Sequence, residues 1–511
     1  MKSYKAFLFL TLLACLPLNS CYHEFPAGGG GGGGATTANV SFVMVADTPP
    51  ATLGLLSFKV VPTAITLTPT GGTASTFNIN NGTGFTFDLV RLQSDSAFLG
   101  TAPAVPVGTY TSIAVSFFSA QISFFNGTGA AITGLSQPCL SGAVCVASFS
   151  GPFTSTITTS QAISANGGLG IDLNLSNLIT LTGTALTLNF TNSGATPAAT
   201  AFTLPRNPNL ATGQLELIED FTGVTTTSGT SVTITPSPVV NRAPITASSS
   251  STTNYDVDPT GHFCAGATSL ATCFPVTLNT ASMDAILNSD GTFTVQEIEP
   301  LWGSPTPDTV EGTVVSINQN NTTQFGIIVT DIVTAATNSV ISGLGIGSPL
   351  TVNLSTGVNP PTFWVDTKGL PVGTPTTNFQ GATSTSVLHL GQSVDIHVNA
   401  FTAANGTTAA IANNVDTVYL RWSRFISIVG NNTNTLQFNI TALPGYFGFT
   451  PASVFDVQTF GGTAGLDGVT NLDFPTSGLV TAKAVGIRAL YLQNSTNTQD
   501  PVFFAAKVRQ H

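Results

Sequence analysis

Charge is what this sequence lacks. Asp, Glu, Lys and Arg together make up 7% of 511 residues, against roughly 25% in an average soluble protein. Only 13 residues are Lys or Arg, and the formal net charge is −11. A phosphate backbone needs clustered cations, so nucleic acid is excluded as a partner, and acidic membrane surfaces are excluded for the folded part. Met and Trp number 3 each and His 5, which leaves little material for acid–base or metal chemistry. There is no G-x-S-x-G elbow for a hydrolytic serine and no C-x₂-C pair for zinc. The Gly-rich "SGLGIGSP" at 342–349 has no phosphate-binding Lys after it. No catalytic residue, no metal ligand set and no cofactor is assigned.

What remains is apolar and neutral-polar. The hydrophobic fraction is 42% and Phe alone counts 34. Thr suits a pleated, half-buried surface, Asn and Gly make turns, and Phe fills a core without needing a polar partner. Short alternating runs recur. Val40, Phe42 and Met44 share one parity, as do Ile113, Val115 and Phe117, Ile171, Leu173 and Leu175, and Leu186, Leu188 and Phe190. Period-2 alternation means strands. The chain reads as all-β, with one exception: Asp88 followed by Leu89, Leu92 and Phe98 predicts a short helix or turn at 88–98.

The first 37 residues read as an address. "MKSYKAFLFLTLLACLPLNSC" has Lys2 and Lys5 ahead of an apolar run from Ala6 to about Leu18. That run is too short to span a bilayer, which takes about 20 residues, and matches the core of a secretory leader. Leu18-Asn19-Ser20-Cys21 resembles the bacterial lipobox, which implies acylation of Cys21. Leu12-Leu13-Ala14-Cys15 is the alternative, with Cys15 as the lipidated residue. The seven glycines Gly28–Gly34 cannot pack and form a tether. A segment of about fifteen such residues reaches on the order of 20 Å. Tyr22, where a retention signal would carry aspartate, favours outer-membrane sorting. The expectation is an exported, membrane-anchored lipoprotein of the outer membrane, with its lipid as the membrane partner.

The remaining cysteines agree with export. Cys139 and Cys145 lie in "CLSGAVC", Cys264 and Cys273 in "CAGATSLATC". Two local pairs in an exported chain predict two small disulfide-closed loops.

Segments from "SFVMVADTPP" through "LLSFKVVPTAITL" and "VPVGTYTSIAVSF" to "GIDLNL" resemble an uncharacterised bacterial lipoprotein family, domain of unknown function 4382. The resemblance implies a β-sandwich over 38–205. Three further units follow. They open at Phe221, Val310 and Arg424, each as strand, polar turn, strand, and each closes later with a hairpin. "EGTVVSI" and "VDIHV" in the middle copy resemble domain of unknown function 5666, which implies small OB-like barrels. The organisation expected is a leader at 1–20, a tether at 21–37, a sandwich at 38–205, and barrel-like repeats at 206–303, 304–423 and 424–511. Residues 235–261, rich in Pro and Ser, are expected to be a long loop within the first repeat.

Candidate chemistry is local and sparse. Asp395 and His397 share a strand face, with His389 across a turn at Gly391. The metal reading of this trio competes with an ordinary solvent-facing strand, which the pattern favours. Glu297 and Glu299 have equal parity on one strand, about 7 Å apart. A carboxylate pair could serve glycoside hydrolysis, but a solvated acidic face is favoured. "DVDPTG", Asp256–Gly261, lacks the distal Glu of an EF-hand loop and reads as an Asx turn. Phe363 and Trp364, with Tyr419 and Trp422 beside Arg421 and Arg424, could stack on a sugar or peptide. The competing core reading, which is favoured, buries Trp422 between two repeats.

The function expected is a lipid-anchored, non-enzymatic envelope or surface protein with a structural or binding role, toward glycan or another envelope protein. The alternative is an enzyme acting on extracellular polymer. A third reading, an outer-membrane barrel, is disfavoured, since it needs aromatic girdles and long lipid-facing strands.

Overall fold

Alternation sets the architecture: nearly every apolar run named above is a strand. The computed structural model describes residues 37–511 except position 51 and the segments 194–196, 258–263, 275–277, 304–307, 334–339, 358–359, 373–377, 407, 435, 450–452, 462–469, 474–477 and 494–500. The leader, the tether and both lipidation candidates, Cys15 and Cys21, lie outside the described residues.

The first domain is a sandwich. One sheet runs β11-β8-β1-β5, from β1 (Thr37–Ala46), β5 (Ala97–Pro106), β8 (Gly167–Leu173) and β11 (Ala199–Leu204). The other runs β3-β2-β6-β7, from β2 (Leu53–Pro69), β3 (Ser75–Asn78), β6 (Gly108–Asn126) and β7 (Val144–Ile163), with β4 (Phe87–Asp88) on β2. A small hairpin, β9 (Ile179–Thr182) with β10 (Ala185–Leu188), packs alongside. Phe42, Phe58, Phe117 and Phe124 fill the space between sheets. The short helix or turn expected at 88–98 is a 3₁₀ turn, Arg91–Gln93. Asp88 does not cap a helix there: its Oδ1 accepts from the backbone N–H groups of Phe58 (2.8 Å) and Val90 (3.0 Å), pinning the turn to β2.

The uncharged edge of β7 is managed without lysine. Pro152 sits in it and offers no N–H to a foreign strand. Farther along, Asn192 donates to Thr156 O and Ala199 O and accepts from Ala199 N, covering the edge.

Three barrels follow with one strand order, 1-2-3-5-4-1. The first uses β12 (Gln214–Ser228), β13 (Ser231–Thr235), β14 (Ile245–Ser248), β16 (Leu278–Asn288) and β17 (Phe293–Gly303), with β15 (Asn254–Tyr255) parallel to β17. The parallel contact of β14 with β17 closes it. The second uses β18 (Asp308–Ile317), β19 (Gln324–Val333), β20 (Pro349–Leu354) and β22 (Ser393–Val398). Its fifth strand is split into β24 (Ala410–Val415) and β25 (Thr417–Arg421); β20 pairs with β24, and β21 (Thr362–Val365) with β25, both in parallel. The short β23 (Ala400–Thr402) flanks β24. The third uses β26 (Ser423–Asn434), β27 (Gln437–Thr441), β28 (Val454–Gln458), β30 (Ala484–Gln493) and β31 (Pro501–Gln510), with β29 (Asn471–Asp473) parallel to β31. These are small OB-like barrels. The stretch 235–261 is therefore not wholly a loop: Ile245 and Ala247 are buried, and their alternation makes β14.

The apolar cores interlock. The second barrel's core includes Leu490, Leu492 and Phe504 of the third, and the third barrel's includes Leu56 of the sandwich and Ile328 of the second. Residues 37–511 thus form one unit. Cys139–Cys145 and Cys264–Cys273 are both at disulfide-bonding distance.

Candidate functional site

The few charges of this chain meet where its four domains meet. The sandwich contributes Asp88 from β4, Arg91 from its 3₁₀ turn and Asp95 just after that turn. The first barrel contributes Glu216, Glu219 and Asp220 from β12, Arg242 from the β13–β14 loop and Glu299 from β17. The second contributes Glu311, Asp331, Asp366, Lys368, Asp395 and Arg421. The third contributes Arg424, Asp473, Arg488, Lys507 and Arg509. All are buried or nearly so.

Local backbone makes this convergence work. In a regular strand Glu219 and Asp220 would point to opposite faces. A bulge between Ile218 and Phe221, with Asp220 at φ +54°, turns both into the junction. The Asp220 N–H donates to Asp284 Oδ1 at 2.6 Å, and Ser282 Oγ donates to Asp220 Oδ1 at 3.0 Å. On β31, Lys507 and Arg509 share parity and reach inward together.

Arg424 is the hub. Its Nε donates to Asp95 Oδ2 of the sandwich at 2.9 Å and its Nη1 to Glu311 Oε1 of the second barrel at 3.0 Å. Its Nη2 pairs with Asp220 of the first. Arg91 Nη1 meets Asp331 Oδ2 at 2.7 Å, and Arg242 meets the other oxygen at 3.3 Å. Lys368 Nζ lies 2.9 Å from Asp220 Oδ1. Arg421 pairs with Asp366 and reaches Asp395 Oδ2 at 3.4 Å. Lys507 pairs with Glu219, and Arg488 lies 3.6 Å from the same carboxylate. Arg509 donates to Asp473 Oδ2 (2.6 Å), Asp95 O (2.6 Å) and Ser96 Oγ (3.0 Å).

The electrostatics divide the acids into two kinds. Burial opposes ionisation of Asp220, but Lys368, Arg424, Arg488 and Arg421 hold its carboxyl well below the usual range. Asp95, also against its burial, is brought to about 2 by Arg424 and Arg488. Glu299 and Asp395 go the other way. Burial, then Asp366, raises the Glu299 carboxyl well above its ordinary value. Burial pushes Asp395 up to about 8 against the pull of Arg421, with Glu311, Asp220 and Asp331 adding to the rise.

Two cavities lie at the domain seams. A cavity of about 50 Å³ between the sandwich and the first barrel is lined by Asp88, Arg91, Asp95, Glu219, Asp220 and Arg242, which leaves room for a few waters. A second, of about 200 Å³, lies between the second and third barrels beside Phe379, Ser386, His389, Gln392 and Leu492. Both are smaller than the roughly 300–1,000 Å³ of ordinary ligand pockets.

Several expectations change on these facts. Glu297 and Glu299 are buried, 9% and 1% exposed, so they are not a solvated acidic face. Every residue of β22 is buried, so Asp395 and His397 do not face solvent; Asp395 meets Arg421, while His397 Nδ1 lies 3.5 Å from Asp416. His389 is apart from both, tilted against Tyr491. Among the described residues, no group of three or more His, Cys, Asp or Glu is arranged to hold a metal ion. Asp256 of "DVDPTG" is buried, and Asp258–Gly261 lie outside the described residues. Of the four stacking candidates, Phe363, Tyr419 and Trp422 are buried, and Trp364 is half-buried. Burial takes those three faces away from any sugar. Phe363 packs on Phe379, and Trp422 sits in the core shared by the second and third barrels.

In the sequence, Glu297, Glu299, Asp395, Arg421 and Arg424 stand out only as local pairs, and Arg91, Asp95, Asp220, Lys507 and Arg509 do not stand out at all. A signal was present: in so uncharged a chain, most of the few cations lie at strand positions among apolar neighbours. No protein-family model, curated protein or solved structure matches the chain.

Proposed function

We propose that this protein is an exported, lipid-anchored and non-enzymatic envelope or surface component whose role is structural: a stiff, neutral-surfaced body held off a membrane by a glycine tether. One observation carries the reading. Most of the described ionisable side chains are spent on a buried junction between domains, and the cavity that some of them line there has room for only a few waters. Of the 11 Lys and Arg in residues 37–511, eight lie in that junction, and Arg206 reaches its rim at Asp473 Oδ2, 3.7 Å away. Acid–base, nucleophilic and electrostatic catalysis all need such groups within reach of substrate.

The outer faces support the same reading. The second and third strands of the first barrel, which OB-like folds use for ligands, present Thr233, Thr246 and Ser248 with no aromatic ring; Thr233 Oγ1 and Thr246 Oγ1 are 2.8 Å apart. Contact with another envelope protein through such neutral faces fits better than stacking on glycan.

The test is mass spectrometry of the mature protein expressed in a bacterial host with lipoprotein export, beside a Cys21→Ser variant. The expected result is a diacylglyceryl-modified terminus at Cys21 that the variant loses. An unmodified terminus overturns the anchor, and turnover of a peptidoglycan or polysaccharide panel by residues 38–511 overturns the non-enzymatic role.

A further inference from the structure

The junction holds more carboxylates than cations. Within it, two acids are badly served. Asp395 on β22 stands directly opposite Glu311 on β18 in the antiparallel ladder, a like-charge pair of the kind that destabilises a sheet. Glu311 is itself held by Arg424 Nη1 and by Ser393 Oγ (3.1 Å), so it keeps its charge partners. On the other side of Asp395, β25 offers Tyr419 and Arg421, and Arg421 is shared with Asp366, Asp220 and Glu299. Asp220 of the first barrel and Asp331 of β19 add further negative charge nearby.

Glu299 on β17 is worse placed. It is 1% exposed, and neither of its oxygens accepts a hydrogen bond from a described residue. Its nearest cations, Lys368 Nζ and Arg421 Nη1, are 3.9 and 4.0 Å away and are engaged more closely by Asp220 and Asp366. Asp366 and Asp256 face it as like charges. An isolated buried carboxylate is so costly that the group takes a proton instead.

We propose that the domain junction is a proton-dependent clasp: Asp395 and Glu299 are neutral acids when the four domains are closed, and alkaline pH loosens the junction by ionising them. Loss of the Asp395 proton sets a new anion against Glu311, Asp220 and Asp331. The shared Arg421 cannot offset all of them.

The sign follows from where the proton is held. Asp395 titrates near 8 in the folded chain and near the ordinary carboxylate value when unfolded. The folded form therefore binds the extra proton. Its contribution is full below the ordinary carboxylate range and is lost as pH rises through about 8.

The test compares thermal midpoints at pH 7 and pH 9.5 for the wild type, Asp395→Asn and Glu299→Gln. Both substitutions fix a neutral side chain of nearly the same shape. The wild-type midpoint is expected to fall by on the order of 1–2 °C as Asp395 ionises, and each variant to lose part of that fall. Infrared spectroscopy of the wild type alone supplies the second readout, which holds even if a variant does not fold. A buried carboxylic-acid carbonyl band is expected at pH 7, and it is expected to weaken by pH 9.5 as Asp395 ionises. A wild-type midpoint that stays level, variants that fall as steeply as the wild type, or no such band at pH 7 overturns the proposal.

Discussion

Arg424 touches three domains besides its own, and its planar fork makes this geometry available. A guanidinium presents several donors in fixed directions, whereas an ammonium is a single point charge. Asp95, Asp220 and Glu311 each take one edge of it. Truncation leaves three buried carboxylates short of a partner, and breaking a buried pair in this way costs about 3–5 kcal/mol. Arg424→Ala is therefore expected to lower unfolding stability by that amount, as read from the denaturant midpoint at constant slope. Residue roles of this kind were the least legible in the sequence. Arg424 and Asp95 are separated by 329 positions, and no local periodicity connects them. Trp422 was legible, because a large aromatic on a strand shared by two repeats has few places to go but the shared core. Glu297 and Glu299 misled because equal parity on a strand says only that two side chains share a face, not whether another domain covers it.

At the scale of elements, alternation worked wherever one face was wet. β6 follows the parity of its apolar residues: Ile113, Val115 and Phe117 are buried, and Ala114 and Ser116 between them are half-buried. It failed where both faces are covered, as in β22, whose six residues are all buried. It also failed for short strands that owe their existence to a neighbour, such as β15, held by β17. Close approach between elements has its own sequence mark, glycine. Gly486 on β30 lies so near the sandwich turn that a Cβ there would stand 2.3 Å from the backbone oxygen of Gln93. Backbone cannot swing aside as a side chain can. Gly486→Ala is expected to part the third barrel from the sandwich and cost about 1–3 kcal/mol. The check is hydrogen exchange, which should accelerate at 91–96 while the sandwich core at Phe58 and Phe117 stays protected. Acceleration throughout the chain would mean that the contact is not local.

For the whole molecule, the interlocked cores and shared ion pairs predict that four domains behave as one. Calorimetry of residues 38–511 is expected to give a single transition whose van't Hoff and calorimetric enthalpies agree, as in small two-state domains. Two or more resolved transitions in the wild type would show that the domains are energetically separate. Fold class was readable from composition and alternation, and the three-fold repetition from the recurring strand–turn–strand openings. What joins the copies was not, because the junction is made of single residues contributed from every domain.

That dependence on the far end of the chain constrains how the protein comes into being. Lys507 and Arg509 lie on β31, which follows every other described strand, yet Arg509 reaches back 414 positions to Asp95. A ribosome adding about 5–20 residues per second needs roughly 20–80 s to make that much chain. Throughout that interval the nascent sandwich and first barrel carry unpaired acids and uncovered apolar flanks, so the molecule must be kept from closing wrongly until β31 arrives.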